Sequence, residues 1–190
     1  AEKSYRQSII LKPKFTEAHF NLGDTLKKLG RLVEAEASYR QVITLNPNLA
    51  ETYNNLGIIL QELGRLDEAE VSYRQATILK PELAEAHNNF GIMLQELGKL
   101  NQAEKSYKKT ISLKSDYAEA HYNLGNTLKE LGKLDKAEAS YRQAITLKFD
   151  YVEAHNNLGI TLQQLGKLDE AEASYKKVIT LKPDYADAHY

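Results

Sequence analysis

Apolar and small residues recur along the chain in steps of three and four, and they do so twice within every stretch of 34 residues. Between residues 118 and 151 the first run is Ala120, Leu124, Leu128 and Leu131; the second is Leu134, Ala137, Tyr141 and Ile145, joined by Ala144 or Leu147. Such steps line one face of a helix, so each stretch predicts a hairpin of two amphipathic helices. Glycine marks the joints. All ten glycines fall in two series of that period: Gly23, Gly57, Gly91, Gly125 and Gly159 inside the first helix, and Gly30, Gly64, Gly98, Gly132 and Gly166 at its end. The second series suits the left-handed residue that ends a helix. Asp135, with Glu138 three residues on, predicts a capping box opening the next helix.

Aligned on the glycines, the chain holds five complete units, 16–49, 50–83, 84–117, 118–151 and 152–185, with partial units at 1–15 and 186–190. This organisation predicts a single all-α array over 1–190. In such an array each unit packs on its neighbours and the stack presents a long surface, which favours binding over chemistry. Pro13, Pro47, Pro81 and Pro183 close their units, because proline cannot continue the helix. Ser115 and Phe149 stand in the same place. There Asp116 with Glu119, and Asp150 with Glu153, keep a capping signal, so slightly frayed or extended helix ends are expected. Val33 replaces the Asp or Asn of other units, which predicts a start of the following helix weaker by about 1 kcal/mol. A Glu and a base four residues on recur in every second helix, from Glu2/Arg6 through Glu36/Arg40, Glu70/Arg74, Glu104/Lys108 and Glu138/Arg142 to Glu172/Lys176. That pairing predicts a solvated outer face. Ser38, Ser72, Ser106, Ser140 and Ser174, on the same helices, are expected to be surface positions.

The period, Asn-Leu-Gly in the first helix, Ala early in the second, Tyr four residues later and Pro at the end together resemble the tetratricopeptide repeat. In 50–83 the matching residues are Leu56, Gly57, Leu60, Ala69, Tyr73, Ala76 and Pro81. Gly57 and Ala69 are small enough for close helix approach, and Leu60 and Tyr73 fill the space between. The resemblance implies a right-handed superhelical solenoid of antiparallel helix hairpins, with first helices lining a concave groove and second helices on the convex side. His19, Tyr53, His87, His121, His155 and His189 take the family's tryptophan position. Equivalent positions on stacked helices lie on the order of 10 Å apart, too far to share a metal ion. These rings are expected to fill the tryptophan slot, with no metal site.

Asn21, Asn55, Asn89, Asn123 and Asn157, each two residues before a first-series glycine, are the candidate site. Asparagine is a mediocre helix former whose amide must be hydrated or bonded. A row of amides can donate to peptide carbonyls and accept from peptide N–H groups, holding an extended backbone without reading its sequence. The row is similar to that in the repeat domain of O-linked N-acetylglucosamine transferases. Alternatively the amides bond to a neighbouring unit and tighten the stack. Beside the row stand Phe20, Asn54, Asn88, Tyr122 and Asn156, and one turn on lie Asp24, Ile58, Ile92, Asn126 and Ile160. The expected peptide-binding set is the five asparagines with Asn54, Asn88, Asn156, Ile58, Ile92, Asn126 and Ile160. Glu17, Glu51, Glu85, Glu119, Glu153 and Asp187, joined by Glu62, Glu96 and Glu130, outweigh Lys27, Lys28 and Lys129 at the groove edge, so a neutral or basic peptide is favoured. The first of these acids also suit helix N-termini.

Charge and composition narrow the classes further. With 25 basic and 26 acidic residues the net charge is −1, without the excess that neutralising nucleic-acid phosphates requires. No apolar run nears the ~18 residues of a membrane span, so no membrane partner is expected and the default location is cytoplasmic. The chain has no cysteine, and no phosphate-cradling glycine motif or nucleophile–base pair appears. No cofactor, catalytic residue or enzymatic activity is expected. A clamp for the C-terminal carboxylate of chaperones, known in the family, is disfavoured because Asn stands where it needs Arg. The expectation is a protein-interaction scaffold that binds an extended polypeptide. The alternatives are a substrate-recruiting arm of a glycosyltransferase or other protein-modifying enzyme, and a structural array that self-associates through its ends.

Overall fold

A computed structural model describes residues 1–183; Asp187 and His189 lie outside the described residues. The fold is all-α. The helices are α1 (Glu2–Leu11), α2 (Thr16–Lys28), α3 (Leu32–Leu45), α4 (Ala50–Glu62), α5 (Leu66–Leu79), α6 (Ala84–Glu96), α7 (Leu100–Leu113), α8 (Ala118–Glu130), α9 (Leu134–Leu147), α10 (Val152–Gln164) and α11 (Leu168–Leu181). Two compact units result, residues 1–93 and the chain from Leu94 onward. In the first, α2 pairs with α3 and α4 with α5, and α1 and α3 pack on the next helix in line. In the second, α8 pairs with α9 and α10 with α11, while α7 packs on α8 and α9 on α10.

The two glycine series have different causes. A Cβ on Gly23 or Gly57 would stand 2.7 Å from the ring of Tyr39 or Tyr73, and one on Gly125 or Gly159 would stand 2.6 Å from Tyr141 or Tyr175. No side chain fits there. Tyr39, Tyr73, Tyr107 and Tyr141 are fully buried, as are the alanines Ala35, Ala69, Ala103 and Ala137 one turn earlier. Gly30, Gly64, Gly98, Gly132 and Gly166 instead carry φ between +68° and +76°. Each ends its helix in a Schellman turn; around Gly132 the N–H groups of Gly132 and Lys133 donate to the carbonyls of Lys129 and Leu128 at 2.9 and 2.8 Å.

That turn overturns the capping boxes. Lys133 is both the third residue past α8 and the N-cap of α9, and its side chain makes no cap bond. Asp135 therefore falls in the first turn, where its charge meets the helix dipole without capping it. Arg31 likewise precedes α3, which leaves Val33 inside the first turn and not at the cap. Tyr117 and Tyr151 precede α8 and α10, so Asp116 and Asp150 do not cap either. The helices before Ser115 and Phe149 are neither frayed nor extended. α7 and α9 end at Leu113 and Leu147, in register with α3 and α5 at Leu45 and Leu79. The loop is held through its backbone, with Tyr151 N–H donating to Lys148 O at 3.1 Å as Leu83 N–H does to Lys80 O at 3.0 Å, and proline is dispensable there.

The second helices also depart from expectation. The five serines are buried, and Ser38, Ser72, Ser140 and Ser174 donate Oγ–H to the carbonyl four residues earlier. A small hydroxyl that bonds its own helix fits a tight interface where a larger polar group would not. Nor is the charged face simply solvated. Glu36 is buried and accepts from Arg40 on its own helix at 2.9 Å and from Arg65 of the next hairpin's turn at 2.8 Å. Glu104 joins Lys108 and Lys133 in the same way, at 2.6 and 2.7 Å, and Glu138 joins Arg142 and Lys167 at 2.9 and 2.7 Å. Chiefly because of Lys108, the carboxyl of Glu104 lies below its ordinary range; Lys167 acts likewise on Glu138.

Candidate functional site

Each asparagine of the row lies on the first helix of its hairpin, two residues before a first-series glycine. All five asparagines are half-buried. In the first unit the Asn55 amide donates to Asp24 Oδ1 at 3.1 Å, and the same oxygen accepts the Tyr39 hydroxyl at 2.6 Å. Asn89 donates to Asn54 Oδ1 at 3.0 Å. In the second unit Asn157 donates to Asn126 Oδ1 at 2.9 Å and to the Tyr122 hydroxyl at 3.2 Å, and Asn126 also accepts the Tyr141 hydroxyl at 2.8 Å. The amide N–H groups of Asn55, Asn89 and Asn157 thus tie α4 to α2, α6 to α4 and α10 to α8. No side-chain bond holds Asn21 or Asn123 among the described residues.

The flanking residues divide. Asn54 and Asn88 are buried, at 8% and 4% exposure, and Asn88 Oδ1 has no hydrogen-bond partner among the described residues. Asn156, Asn126, Ile58, Ile92 and Ile160 are half-buried. At the edge, Glu17, Glu85, Glu119, Glu153, Glu62, Glu96 and Glu130 are exposed, while Glu51 accepts from Lys80 at 2.7 Å, which holds its carboxyl below the ordinary range. Of the lysines, Lys28 is exposed and Lys27 and Lys129 are half-buried.

Tyrosine burial pushes the hydroxyls of Tyr39, Tyr107 and Tyr141 well above their usual range, so they act as fixed donors. Their acceptor was not foreseen. Where Ile58 replaces the acid or amide, Tyr73 donates to Gln61 at 2.9 Å; Tyr107 uses Gln95 and Tyr175 uses Gln163, both at 3.3 Å. The signal was present: Asp24 and Asn126 travel with Lys27 and Lys129, whereas Ile58, Ile92 and Ile160 travel with Gln61, Gln95 and Gln163.

The histidines are held to the backbone. Nε2 of His19, His87, His121 and His155 lies 2.9 to 3.0 Å from the carbonyl six residues earlier, at Pro13, Pro81, Ser115 and Phe149. Among the described residues no group of three His, Cys, Asp or Glu side chains is placed to hold a metal ion. No described helix is long and apolar enough to cross a membrane.

Models of the TPR repeat match residues 23–64, 91–132 and 125–166, and models of the tetratricopeptide repeat match 50–83 and 152–185. The chain belongs to the tetratricopeptide repeat family. Such arrays are in general non-enzymatic scaffolds for protein–protein interaction. Among solved structures, MamA is similar at 27% identity and TM-score 0.80, over 87% of this chain and 97% of that one. MamA from Desulfovibrio magneticus RS-1 is 20% identical with TM-score 0.82, over 89% and 96%. YrrB, described as a TPR protein with an unusual peptide-binding site, is 20% identical with TM-score 0.82, over 98% and 96%. At 20% these last two share the fold. No curated protein matches the sequence.

Proposed function

We propose that this tetratricopeptide array binds an extended, neutral or basic polypeptide along the face of its first helices, with the asparagines as backbone anchors. The supporting observation is the division of labour within three of the five amides. The N–H groups of Asn55, Asn89 and Asn157 are engaged with the preceding first helix, which fixes the side chains and presents Oδ1 of Asn89 and Asn157 as oriented acceptors for peptide N–H groups, while Asn55 Oδ1 also accepts from the Asn54 amide at 3.5 Å. Holding the amides in advance lowers the ordering cost of binding. Ile58, Ile92 and Ile160, half-buried beside them, offer apolar seats for side chains, and the exposed carboxylates of the rim disfavour acidic ligands. A peptide-binding site is described for YrrB, which has the same fold.

Each anchor contributes about 0.5 to 1.5 kcal/mol, so binding draws on several repeats and reaches roughly micromolar strength. Asn123 gives a clean test because it carries no structural side-chain bond. Peptides selected from a random displayed library against the wild-type chain should bind Asn123→Ala about 2- to 12-fold more weakly, at unchanged melting temperature. Selected peptides that bind Asn21→Ala and Asn123→Ala with wild-type affinity would contradict the reading.

One observation favours a second reading, self-association. α1 buries none of its residues, and its Ile10 and Leu11 are 71% and 72% exposed. Light scattering over a concentration series, repeated with Ile10→Ser, separates monomer from assembly.

A further inference from the structure

At the meeting of α8 and the start of α10, two rings and an ammonium form a group with no counterpart in the first unit. The Tyr122 and Tyr151 rings lie 4.9 Å apart with their planes tilted by 38°. Tyr122 is fixed from two further sides, by the Tyr141 ring at 6.1 Å and by the Asn157 amide on its hydroxyl. Both rings are half-buried and so keep surface open to solvent. Lys148 Nζ sits over the Tyr151 ring, 4.7 Å from its centre.

Carboxylates stand close by. Burial raises the Tyr151 hydroxyl above its usual range, and Tyr122, Glu119 and Glu153 add to the rise, which puts both glutamate charges within electrostatic reach of the ring. Repeat register supplies the contrast. In the first unit Lys80, Glu51, Leu83 and Asn54 occupy the places of Lys148, Glu119, Tyr151 and Tyr122. There the lysine donates to the glutamate at 2.7 Å. In the second unit the lysine lies on the ring instead, and Glu119 is left exposed with no ion pair among the described residues.

We propose that the Tyr122–Tyr151 pair, rimmed by Glu119 and Glu153, is a subsite for an arginine side chain of the bound polypeptide, occupied by Lys148 in the unbound protein. The proposal rests on the polypeptide-binding reading and names a side chain that the ligand carries. A ring face attracts a cation through its quadrupole, and a guanidinium can stack flat while its N–H fork reaches a carboxylate. Lysine cannot do both at once. Lys148 is exposed on a flexible stem, so it yields the ring to a better-matched cation at small cost.

The test uses the full chain with 13C-labelled tyrosine rings and a small probe, N-acetyl-arginine N-methylamide, against its uncharged citrulline analogue. The arginine probe should shift the Tyr122 and Tyr151 ring signals and bind about fivefold more tightly than the citrulline probe. Tyr151→Leu, which installs the residue found at Leu83, should abolish that preference. Lys148→Met should strengthen arginine binding about threefold, because the internal competitor is gone. Equal binding of the two probes, or arginine binding unchanged or weakened in Lys148→Met, overturns the subsite. Should Tyr151→Leu fail to fold, the Lys148→Met comparison decides alone. The probes contain no extended backbone, so their result is independent of the Asn123→Ala peptide experiment, and either proposal can fail without the other.

Discussion

The junction from hairpin 16–49 to the next and the junction from hairpin 118–151 to the next share a plan and differ by one charge. In the first, a carboxylate oxygen of Asp24 receives the Tyr39 hydroxyl and the Asn55 amide; in the second, an amide oxygen of Asn126 receives the Tyr141 hydroxyl and the Asn157 amide, at nearly the same distances. What the junction requires is an acceptor one turn past the asparagine. Charge is optional. Hairpins with isoleucine there supply the acceptor from a glutamine three residues on, as Gln61 does for Tyr73. A buried tyrosine hydroxyl must be bonded somewhere, and the array has two interchangeable ways of doing so.

The shared part of the plan should be the most fragile. Gly23→Ala and Gly125→Ala both drive a Cβ into a buried ring, so each should cost about 1 to 3 kcal/mol, and by similar amounts in denaturant unfolding. A large inequality would mean that the two hairpins are not built alike. Next comes the acceptor. Asp24→Leu leaves the Tyr39 hydroxyl and the Asn55 amide without their acceptor and should cost about 2 kcal/mol, while Asp24→Ile combined with Lys27→Gln should recover about half of it, because the glutamine serves the tyrosine hydroxyl and Phe20 offers the Asn55 amide no acceptor where Asn54 serves Asn89. No recovery would break the equivalence between the two kinds of hairpin.

Smaller effects follow from charge. The folded carboxyl of Glu138 is depressed by Lys167 and Arg142. Its contribution is therefore present above the unfolded carboxylate range and is lost as pH falls through the folded value. Glu138→Gln should cost about 1 kcal/mol at neutral pH and nothing once wild type is protonated, read as melting curves that converge in acid. The least effect belongs to Val33→Asp. Because Val33 lies in the first turn of α3 and not at its cap, the gain should be ~0.5 kcal/mol, smaller than a restored cap would give.

The hairpins, their order and the purpose of both glycine series were legible in the sequence, because helical spacing and a fixed period act locally. The N-cap of α9 lies two residues before the acid that resembles a cap, and those of α8 and α10 lie one residue after theirs. A Schellman turn uses Gly132 and Lys133 together, and the acid that resembles a cap lies beyond it. The serines were misread because a polar residue on a helix says nothing about its neighbour, and here the neighbouring helix comes close enough to bury them. At the candidate site the positions were legible but the partners were not. Asn55 and Asn157 bond to residues 31 positions earlier, and only repeat-to-repeat covariation within the chain, Asp24 with Lys27 against Ile58 with Gln61, hinted at the arrangement.

The most direct test of the central claim is an N-methyl scan of a selected peptide, measured by fluorescence anisotropy against the wild-type chain. Backbone anchoring predicts that N-methylation at anchored peptide bonds weakens binding about 2- to 12-fold each, while replacing the side chains at the same positions with alanine costs less. An affinity insensitive to N-methylation at every position, with the losses confined to side-chain replacements, would contradict the account.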